Sequence, residues 1–419
     1  MMESWKVALL LAFFAPSVLT YKTYNGYKVL RVGPVEMDYF EAFAELEHDP
    51  RFDFWSRPRL GNDNLVMVSG DELSDLTKKL IKLDIEFSIF IDDVGPTVSK
   101  EIKEHEFLKS ITRETNSRNI TFERFMEFAE IQAYIDEMHS AYPNLTAVVD
   151  LETTFQGRQI RALHLSNGPG KRMVMMDCAL HAREWMAPPV CLKTIMELLD
   201  NYNVNKELLD LADWWIVPVA NPDGYVYSFE KDRFWRKNRK INFPSPCLGV
   251  DPNRNYDFYW GGENVSDPCS LTYPGTGPFS EKESRAVGNQ LLAQSGNIAI
   301  YLAIHSYGEL IVYPWGYTTD PPPNAAELHA TGKEAAAAVF AHRGMEYTTG
   351  TSAGLLYPQF GAADDFALGV ANVPYSYTWE LPGGGTGGFN PPASDIIPVV
   401  TETWDGIKSM IRRATAARE

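Results

Sequence analysis

The alternation of apolar and polar positions divides the chain into two differently built parts. From Tyr21 to about Asp93, short apolar runs with a two-residue period flank two amphipathic segments, residues 35–46 and 71–83. These periods predict the order strand, helix, strand, strand, helix, strand. That β-α-β-β-α-β order is typical of a small α+β domain of ferredoxin-like type with an antiparallel sheet.

A polar segment at residues 99–119 follows, with no apolar period and with basic residues at Lys109, Arg113 and Arg118. It can be read as a simple linker or as the cleavage region of a removable pro-segment. Exposed polar linkers are preferred sites of proteolysis, so we favour a removable pro-segment. The predicted division is a first domain at 21–113, a linker to about 118 and a second domain at 119–419.

Beyond residue 119 the pattern changes to apolar strands that alternate with longer helical stretches. It predicts an α/β domain with a mixed, largely parallel twisted sheet and helices on both faces. We expect helices at 280–294, opened by a capping box of Ser280 and Glu283, and at 325–343. The predicted strands are residues 161–166, 173–180, 214–220, 298–307 and 375–381.

The first 20 residues carry Lys6, an apolar run from Val7 to Phe14 and then small residues, the pattern of a secretory signal peptide. A membrane anchor is the alternative, but this run is shorter than the roughly 18 apolar residues that a span requires. The formal net charge of -17 argues against nucleic acid and suits a secreted protein or one that attracts cationic substrates. We expect a secreted, extracellular monomer that binds neither nucleic acid nor a membrane.

Four cysteines in a secreted chain imply two disulfides with three alternative connectivities. Sequence spacing favours the local pairs Cys178–Cys191 and Cys247–Cys269. A cysteine-rich zinc site normally contains a closely spaced cysteine pair, which this sequence lacks. Three N-x-Ser/Thr sequons, which also arise by chance, are potential glycan acceptors: Asn119, Asn144 and Asn264.

Candidate metal ligands follow the predicted strands, where ligands gather in open α/β sheets. The stretch HAREWMAP places His181 and Glu184 three residues apart after a buried strand, and His305 ends another strand. Two imidazoles and one carboxylate leave zinc an open position for water, as in a catalytic site. An H-x-x-E pair alone is weak, because a single histidine at a strand end is more often a hydrogen-bonded structural residue.

A zinc hydrolase also needs a base and a positive charge near the carbonyl oxygen. Glu380, in SYTWELP, is an acid at the end of an aromatic strand. Arg239 and Arg254 can supply fixed positive charge, although each arginine taken singly is more often a surface residue. The surrounding sequence therefore has to show whether these residues are catalytic or structural.

Seven motifs provide that context, because they occur in the same order and at similar spacing as in the zinc metallocarboxypeptidases related to pancreatic carboxypeptidases A and B. The resemblance covers nearly the whole chain from about residue 119, and the residues before it resemble that family's activation domain. It implies a carboxypeptidase fold, a zymogen and one bound zinc ion. The motifs are HAREW, NPDGY, FWRKNR, GVDPNRNYD, IHSY, LLYPQFGAADDF and TWELP.

The same resemblance implies a role for each matching residue. Zinc would be held by His181, Glu184 and His305, with Asp251 orienting His181. Glu380 would activate the attacking water while Arg239 stabilises the oxyanion. Forked guanidinium groups suit carboxylates, so Arg254 would bind the substrate's terminal carboxylate. The remaining matches are Asn253 and Tyr357 at that carboxylate, and Arg183 and Tyr307 in the neighbouring subsite.

Asp364 bears on which terminal residue is removed. Carboxypeptidase A-like members have an apolar residue at the matching position, whereas B-like members have an aspartate that pairs with a terminal lysine or arginine. GAADDF places Asp364 there and Asp365 at the aspartate common to both kinds. A buried unpaired carboxylate is costly, and a cationic side chain would relieve it. The alternative is an exposed loop aspartate.

We therefore expect a secreted pro-carboxypeptidase of the B-like kind. Its expected partners are peptide and protein C-termini, an activating trypsin-like protease and protein inhibitors. The alternatives are an A-like preference for apolar or aromatic ends, and a catalytically silent protein that binds C-termini. Residues 361–363 and the run PGGGTGG depart from the family pattern, so the choice between lysine and arginine stays open.

Overall fold

The computed structural model describes residues 21–55, 58–112, 120–262, 265–383 and 388–416. The predicted signal peptide, Arg113, Arg118 and the sequons at Asn119 and Asn264 lie outside these residues. The third sequon, at Asn144, is exposed.

The N-terminal domain is the small α+β domain that the sequence predicts. Its four-stranded sheet has the order β2-β3-β1-β4, and every pairing is antiparallel. Both helices bury apolar residues, such as Phe43 and Leu76, against one face of the sheet. The elements are β1 (Lys28–Val32), α1 (Met37–Ala44) with a 3₁₀ turn at Glu45–His48, β2 (Phe52–Phe54), β3 (Asn64–Val68), α2 (Leu73–Lys82) and β4 (Phe87–Ile91).

A long helix, α3 (Val94–Thr112), continues from this domain. The sequence shows no apolar period over residues 99–119, but residues 99–112 belong to this helix. Val94 and Val98 are buried in a cluster with Trp55, and Ile102 packs against it. These three apolar residues are four apart, as on one face of a helix. Two of them precede the polar segment, so that segment alone shows no helical period.

The C-terminal domain contains an eight-stranded mixed sheet with the order β11-β10-β12-β9-β7-β8-β6-β5. The four central strands β12, β9, β7 and β8 are parallel, as is the pair β10 and β11, whereas β5, β6 and the β10–β12 pairing are antiparallel. The strands are β5 (Thr146–Thr153), β6 (Gln159–Leu165), β7 (Arg172–Cys178), β8 (Ala212–Val217), β9 (Ile298–Ser306), β10 (Leu310–Tyr313), β11 (Thr348–Thr351) and β12 (Tyr375–Leu381).

Helices cover both faces of this sheet, as predicted. Side chains of β7 alternate between two core clusters, with Val174 and Met176 on one face and Met173 and Met175 on the other. The helices are α4 (Phe128–Ala141), α5 (Ala187–Leu199), α6 (Tyr202–Leu211), α7 (Pro222–Glu230), α8 (Lys282–Ala293), α9 (Ala325–Arg343), α10 (Ser352–Leu355), α11 (Ala363–Gly369) and α12 (Ile396–Ala416), with 3₁₀ turns at Pro252–Arg254 and Ala393–Asp395.

The predicted capping box of α8 is wrong. The helix is capped at Glu281 without a side-chain bond, and the Ser280 hydroxyl donates to the Glu281 carboxylate. The Glu283 carboxylate instead accepts from the Asn238 amide. The Ser280 hydroxyl also accepts from the Asn255 amide at 3.0 Å, so residues distant in sequence bind both side chains of the predicted motif.

Two disulfides join the four cysteines in the pairs predicted. Cys178–Cys191 ties the end of β7 to α5, and Cys247–Cys269 closes a loop of the C-terminal domain. Across the described ranges, no helix has the length and apolar character needed to cross a membrane.

Candidate active site

Three predicted metal ligands meet at the carboxyl ends of β7 and β9. The Glu184 carboxylate lies 2.7 Å from His181 Nδ1 and 2.9 Å from His305 Nδ1, and the two Nδ1 atoms are 3.1 Å apart. All three side chains are buried. Within the described residues, they form the one group of three or more His, Cys, Asp or Glu side chains whose donor atoms converge in this way.

The surroundings of His181 suit a metal ligand. Its Nε2 atom lies 3.1 Å from Asp251 Oδ1, so the ring proton belongs on Nε2 and Nδ1 keeps its lone pair. Burial lowers the pKa of His181, which favours the neutral imidazole that metals bind. Two imidazoles and one carboxylate are donors that zinc accepts, so the residues present fit this ion.

Asp251 is held by a residue that the sequence analysis missed. The Arg236 guanidinium donates from Nε and Nη2 to Asp251 Oδ2 at 3.1 and 2.8 Å. Burial alone would raise the pKa of Asp251, but Arg236 and His181 hold it well below its usual range. The FWRKNR motif contained the signal, yet nothing in it distinguished this arginine from its basic neighbours.

Glu380 lies beside the metal cluster on the neighbouring strand. It is in register with His305 in the parallel β12–β9 pairing, and it is buried. It lines one cavity together with Glu184, Arg183 and Tyr307. A carboxylate in this position can exchange a proton with a water molecule at the metal site.

The candidate carboxylate-binding residues lie in two loops that are bonded together. Asn253 Oδ1 accepts from the Ala363 backbone N–H at 2.9 Å, and Arg254 Nη1 donates to the Asn253 carbonyl at 3.0 Å. Tyr357, which is also buried, precedes the second loop. The bond to Ala363 places Asp364 one residue from a contact with Asn253.

Asp364 is buried at the start of α11, which excludes an exposed loop aspartate. Its Oδ1 accepts from the Asp365 backbone N–H at 3.0 Å. Asp365 accepts from the backbone N–H groups of Gly316 and Tyr317 at 2.8 and 3.0 Å. Burial, with the charge of Asp364, raises the pKa of Asp365 well above its usual range. Two buried carboxyl groups this close together thus disfavour carrying two negative charges at once.

Arg239 is not brought to the metal cluster by any contact between described residues. Its guanidinium lies over the rings of Tyr227 and Trp235, 3.5 and 4.4 Å from their centroids. Burial lowers its pKa, although the side chain stays cationic at neutral pH.

The N-terminal domain covers the site. Arg183 Nη1 donates to both carboxylate oxygens of Asp53, at 2.7 and 2.9 Å, and Nη2 donates to the Phe54 carbonyl at 3.2 Å. Trp55 packs on Phe234, with ring centroids 4.8 Å apart. The cavity left beside Glu184 and Glu380 measures about 30 Å³ and is lined on its other side by Phe54 and Trp55. Such a cavity admits a water molecule but no peptide.

Tyr307 lies at this junction between the domains. Its ring packs edge-on against Phe389, and its hydroxyl is buried. Arg183 stacks on the same Phe389 ring, 4.1 Å from the centroid. The two residues predicted to line a neighbouring subsite therefore lie together, under Asp53.

Comparisons with known proteins agree with this geometry. Residues 131–406 match the family described as "Zinc carboxypeptidase", and residues 30–101 match "Carboxypeptidase activation peptide". A carboxypeptidase B of Helicoverpa zea is 34% identical over 98% of this chain and 98% of its own.

Two solved structures extend the comparison. A carboxypeptidase A of Helicoverpa armigera has a TM-score of 0.89 and 33% identity over 95% of this chain and 99% of its own. Bovine thrombin-activatable fibrinolysis inhibitor, solved in complex with tick carboxypeptidase inhibitor, has a TM-score of 0.67 and 33% identity over 71% of this chain and 99% of its own.

Proposed function

The chain belongs to the zinc carboxypeptidase family and carries that family's activation peptide, and from this premise we propose that it removes lysine or arginine from peptide and protein C-termini. The observation that carries the proposal is the buried Asp364, in a loop bonded to Asn253. We further propose that the protein is secreted and that a trypsin-like protease activates it by cutting near Arg113 or Arg118.

The proposed chemistry divides between the metal and the chain. A zinc ion held by His181, Glu184 and His305 would polarise the scissile carbonyl and lower the pKa of an attacking water. Glu380 takes a proton from that water and delivers it to the leaving amine. Arg239 stabilises charge on the carbonyl oxygen, which requires its guanidinium to turn away from the Tyr227 ring.

Exopeptidase action follows from the proposed carboxylate-binding residues. Because Asn253 Oδ1 is bonded to Ala363, the Nδ2 end of its amide is the end that can donate to a substrate. The Arg254 guanidinium and the Tyr357 hydroxyl supply further donors. An internal peptide bond offers no carboxylate to this group, so only the last residue is cut.

Asp364 supports the basic preference. A lysine or arginine side chain would pair with this carboxylate and offset the cost of burying it. A second candidate is an apolar or aromatic preference, since the relatives include proteins named carboxypeptidase A as well as B. A buried acid at the pocket position favours the first.

Inhibition is proposed at two levels. Asp53 and the end of β2 occupy Arg183 and exclude peptides before cleavage. The complex of a related enzyme with a tick inhibitor supports the proposal that protein inhibitors bind the opened site.

The test is hydrolysis of four peptides that differ only in a terminal lysine, arginine, phenylalanine or leucine, before and after trypsin, with and without chelator. We expect lysine or arginine release after trypsin, lost with chelator. Release of phenylalanine or leucine alone would keep the zinc carboxypeptidase and refute the basic preference. Absence of any release would favour a silent binder of C-termini.

A further inference from the structure

A buried carboxylate outside the catalytic set, Asp177, lies next to a proposed metal ligand. Asp177 is opposite Ala303 in the parallel β7–β9 pairing. Side chains two residues apart on a strand share a face, so Tyr301 and His305 flank Ala303 on the face that Asp177 occupies. Asp177 therefore sits between a tyrosine and a metal-binding histidine.

The two oxygens of this carboxylate have different surroundings. Oδ2 accepts a hydrogen bond from the Tyr301 hydroxyl at 2.5 Å. Oδ1 is buried and makes no hydrogen bond with any described residue, and the same holds for His305 Nε2. Since His305 Nδ1 faces His181 and Glu184, Nε2 is the nitrogen directed away from the metal cluster.

We propose that Asp177 is a positioning residue for His305, with one buried water linking Asp177 Oδ1 to His305 Nε2–H. Ala303, the residue between them on this face, has a small side chain, and a water beside it would satisfy two polar atoms that are otherwise costly to bury. The bond fixes the tautomer that keeps the lone pair on Nδ1. Each imidazole then has its own carboxylate, Asp251 for His181 and Asp177 for His305.

The hydrogen bond from Tyr301 alone does not explain why a carboxylate is buried at position 177. That bond uses one oxygen and leaves Oδ1 without a hydrogen bond from any described residue. Burial raises the pKa of Asp177 to about 6, while the Tyr301 hydrogen bond acts to lower it. Oδ1 therefore still needs a polar partner.

The inference rests on the proposed metal ligation by His305, and its test is zinc affinity, measured by chelator competition on the full chain at neutral pH. We expect Asp177→Ala to weaken zinc binding about 10- to 100-fold. Asp177→Asn, which keeps an acceptor oxygen, should recover much of that loss. Tyr301→Phe is the matched control, because it removes only the bond to Oδ2 and should leave affinity near that of the parent.

Two further variants keep the test decisive if Asp177→Ala folds poorly, which thermal unfolding of the zinc-free proteins would show. Ala303→Val fills the proposed water position with the carboxylate intact and should also weaken zinc binding. Parent-like affinity in both Asp177→Ala and Ala303→Val, or equal losses in Asp177→Ala and Tyr301→Phe, would overturn the inference. His305→Ala tests the ligand assignment on which the inference rests. Parent-like zinc affinity in this variant would refute that assignment.

Discussion

Glu380 is the residue on which turnover should depend most directly. Glu380 is in register with His305, so its carboxylate lies beside the metal cluster. It is not one of the proposed zinc ligands. We expect Glu380→Gln to lower kcat about 10²- to 10⁴-fold in the trypsin-treated enzyme, with zinc content unchanged. Glu309→Gln, at a nearby acid that bonds the Gly383 backbone, is the control. Near-normal kcat in Glu380→Gln would refute the assigned base.

Asp364 should set the preference for basic ends. Replacing a buried charge that pairs with substrate costs about 2–5 kcal/mol, so Asp364→Ile should lose most of its kcat/KM for terminal lysine and arginine. The same variant should gain activity on terminal leucine. Asp320→Ile, at an exposed acid, controls for net charge. Lysine release by Asp364→Ile as fast as by the parent would exclude this role.

At the residue scale, a functional residue can be predicted only where its neighbours in the sequence mark it. His181, Glu184 and His305 stand at strand ends, so the strand pattern predicts that they lie at one edge of the sheet. Their role as metal ligands came from the family resemblance, because an H-x-x-E pair alone is weak. Arg236 could not be found in this way, since its distinction is a contact with Asp251 that forms only on folding. Asp53 lies in another domain, and no local pattern links it to Arg183.

Among the elements, the end of β2 should hold the N-terminal domain over the site. Arg183 is buried and loses its carboxylate partner when Asp53 is changed, which weakens the domain contact. We expect Asp53→Ala to raise hydrolysis by the uncut protein and to speed activation by trypsin. The comparison is Asp63→Ala, which removes an exposed ion pair with Arg31 in the same domain. Equal rates of hydrolysis and of activation in the two variants would exclude this role for β2.

Element prediction succeeded where periodicity and burial agree. The four strands of the N-terminal sheet were predicted in order, and the five strands predicted for the C-terminal domain correspond to β6, β7, β8, β9 and β12. Strands β5, β10 and β11 were not predicted, and β5 and β11 are only partly buried. The length of α3 could not, because its apolar stripe is one residue wide and begins before the polar segment. The Ser280–Glu283 motif failed for a different reason, since Asn238 and Asn255 bind those side chains from distant parts of the chain.

For the whole molecule, acid should weaken the attachment of α3 to the C-terminal domain. Hydrogen bonds from His105 and Lys109 lower the pKa of Glu127 to about 2. Because the folded value lies below the unfolded value of about 4.3, this stabilisation is present above about pH 4.3 and is lost as pH falls toward 2. The Tm difference between the parent and Glu127→Gln should therefore shrink over that range. A difference that stays constant with pH would contradict this role for Glu127.

Both disulfides lie within the C-terminal domain, so none of the four cysteines bonds the two domains to each other. Before cleavage the N-terminal domain is a tethered ligand, whose local concentration is set by the connecting chain. The proposed cut near Arg113 or Arg118 would turn it into a separate ligand for the same surface. Activity after that cut would depend on dilution as well as on the protease, because the separate domain would rebind in proportion to its concentration.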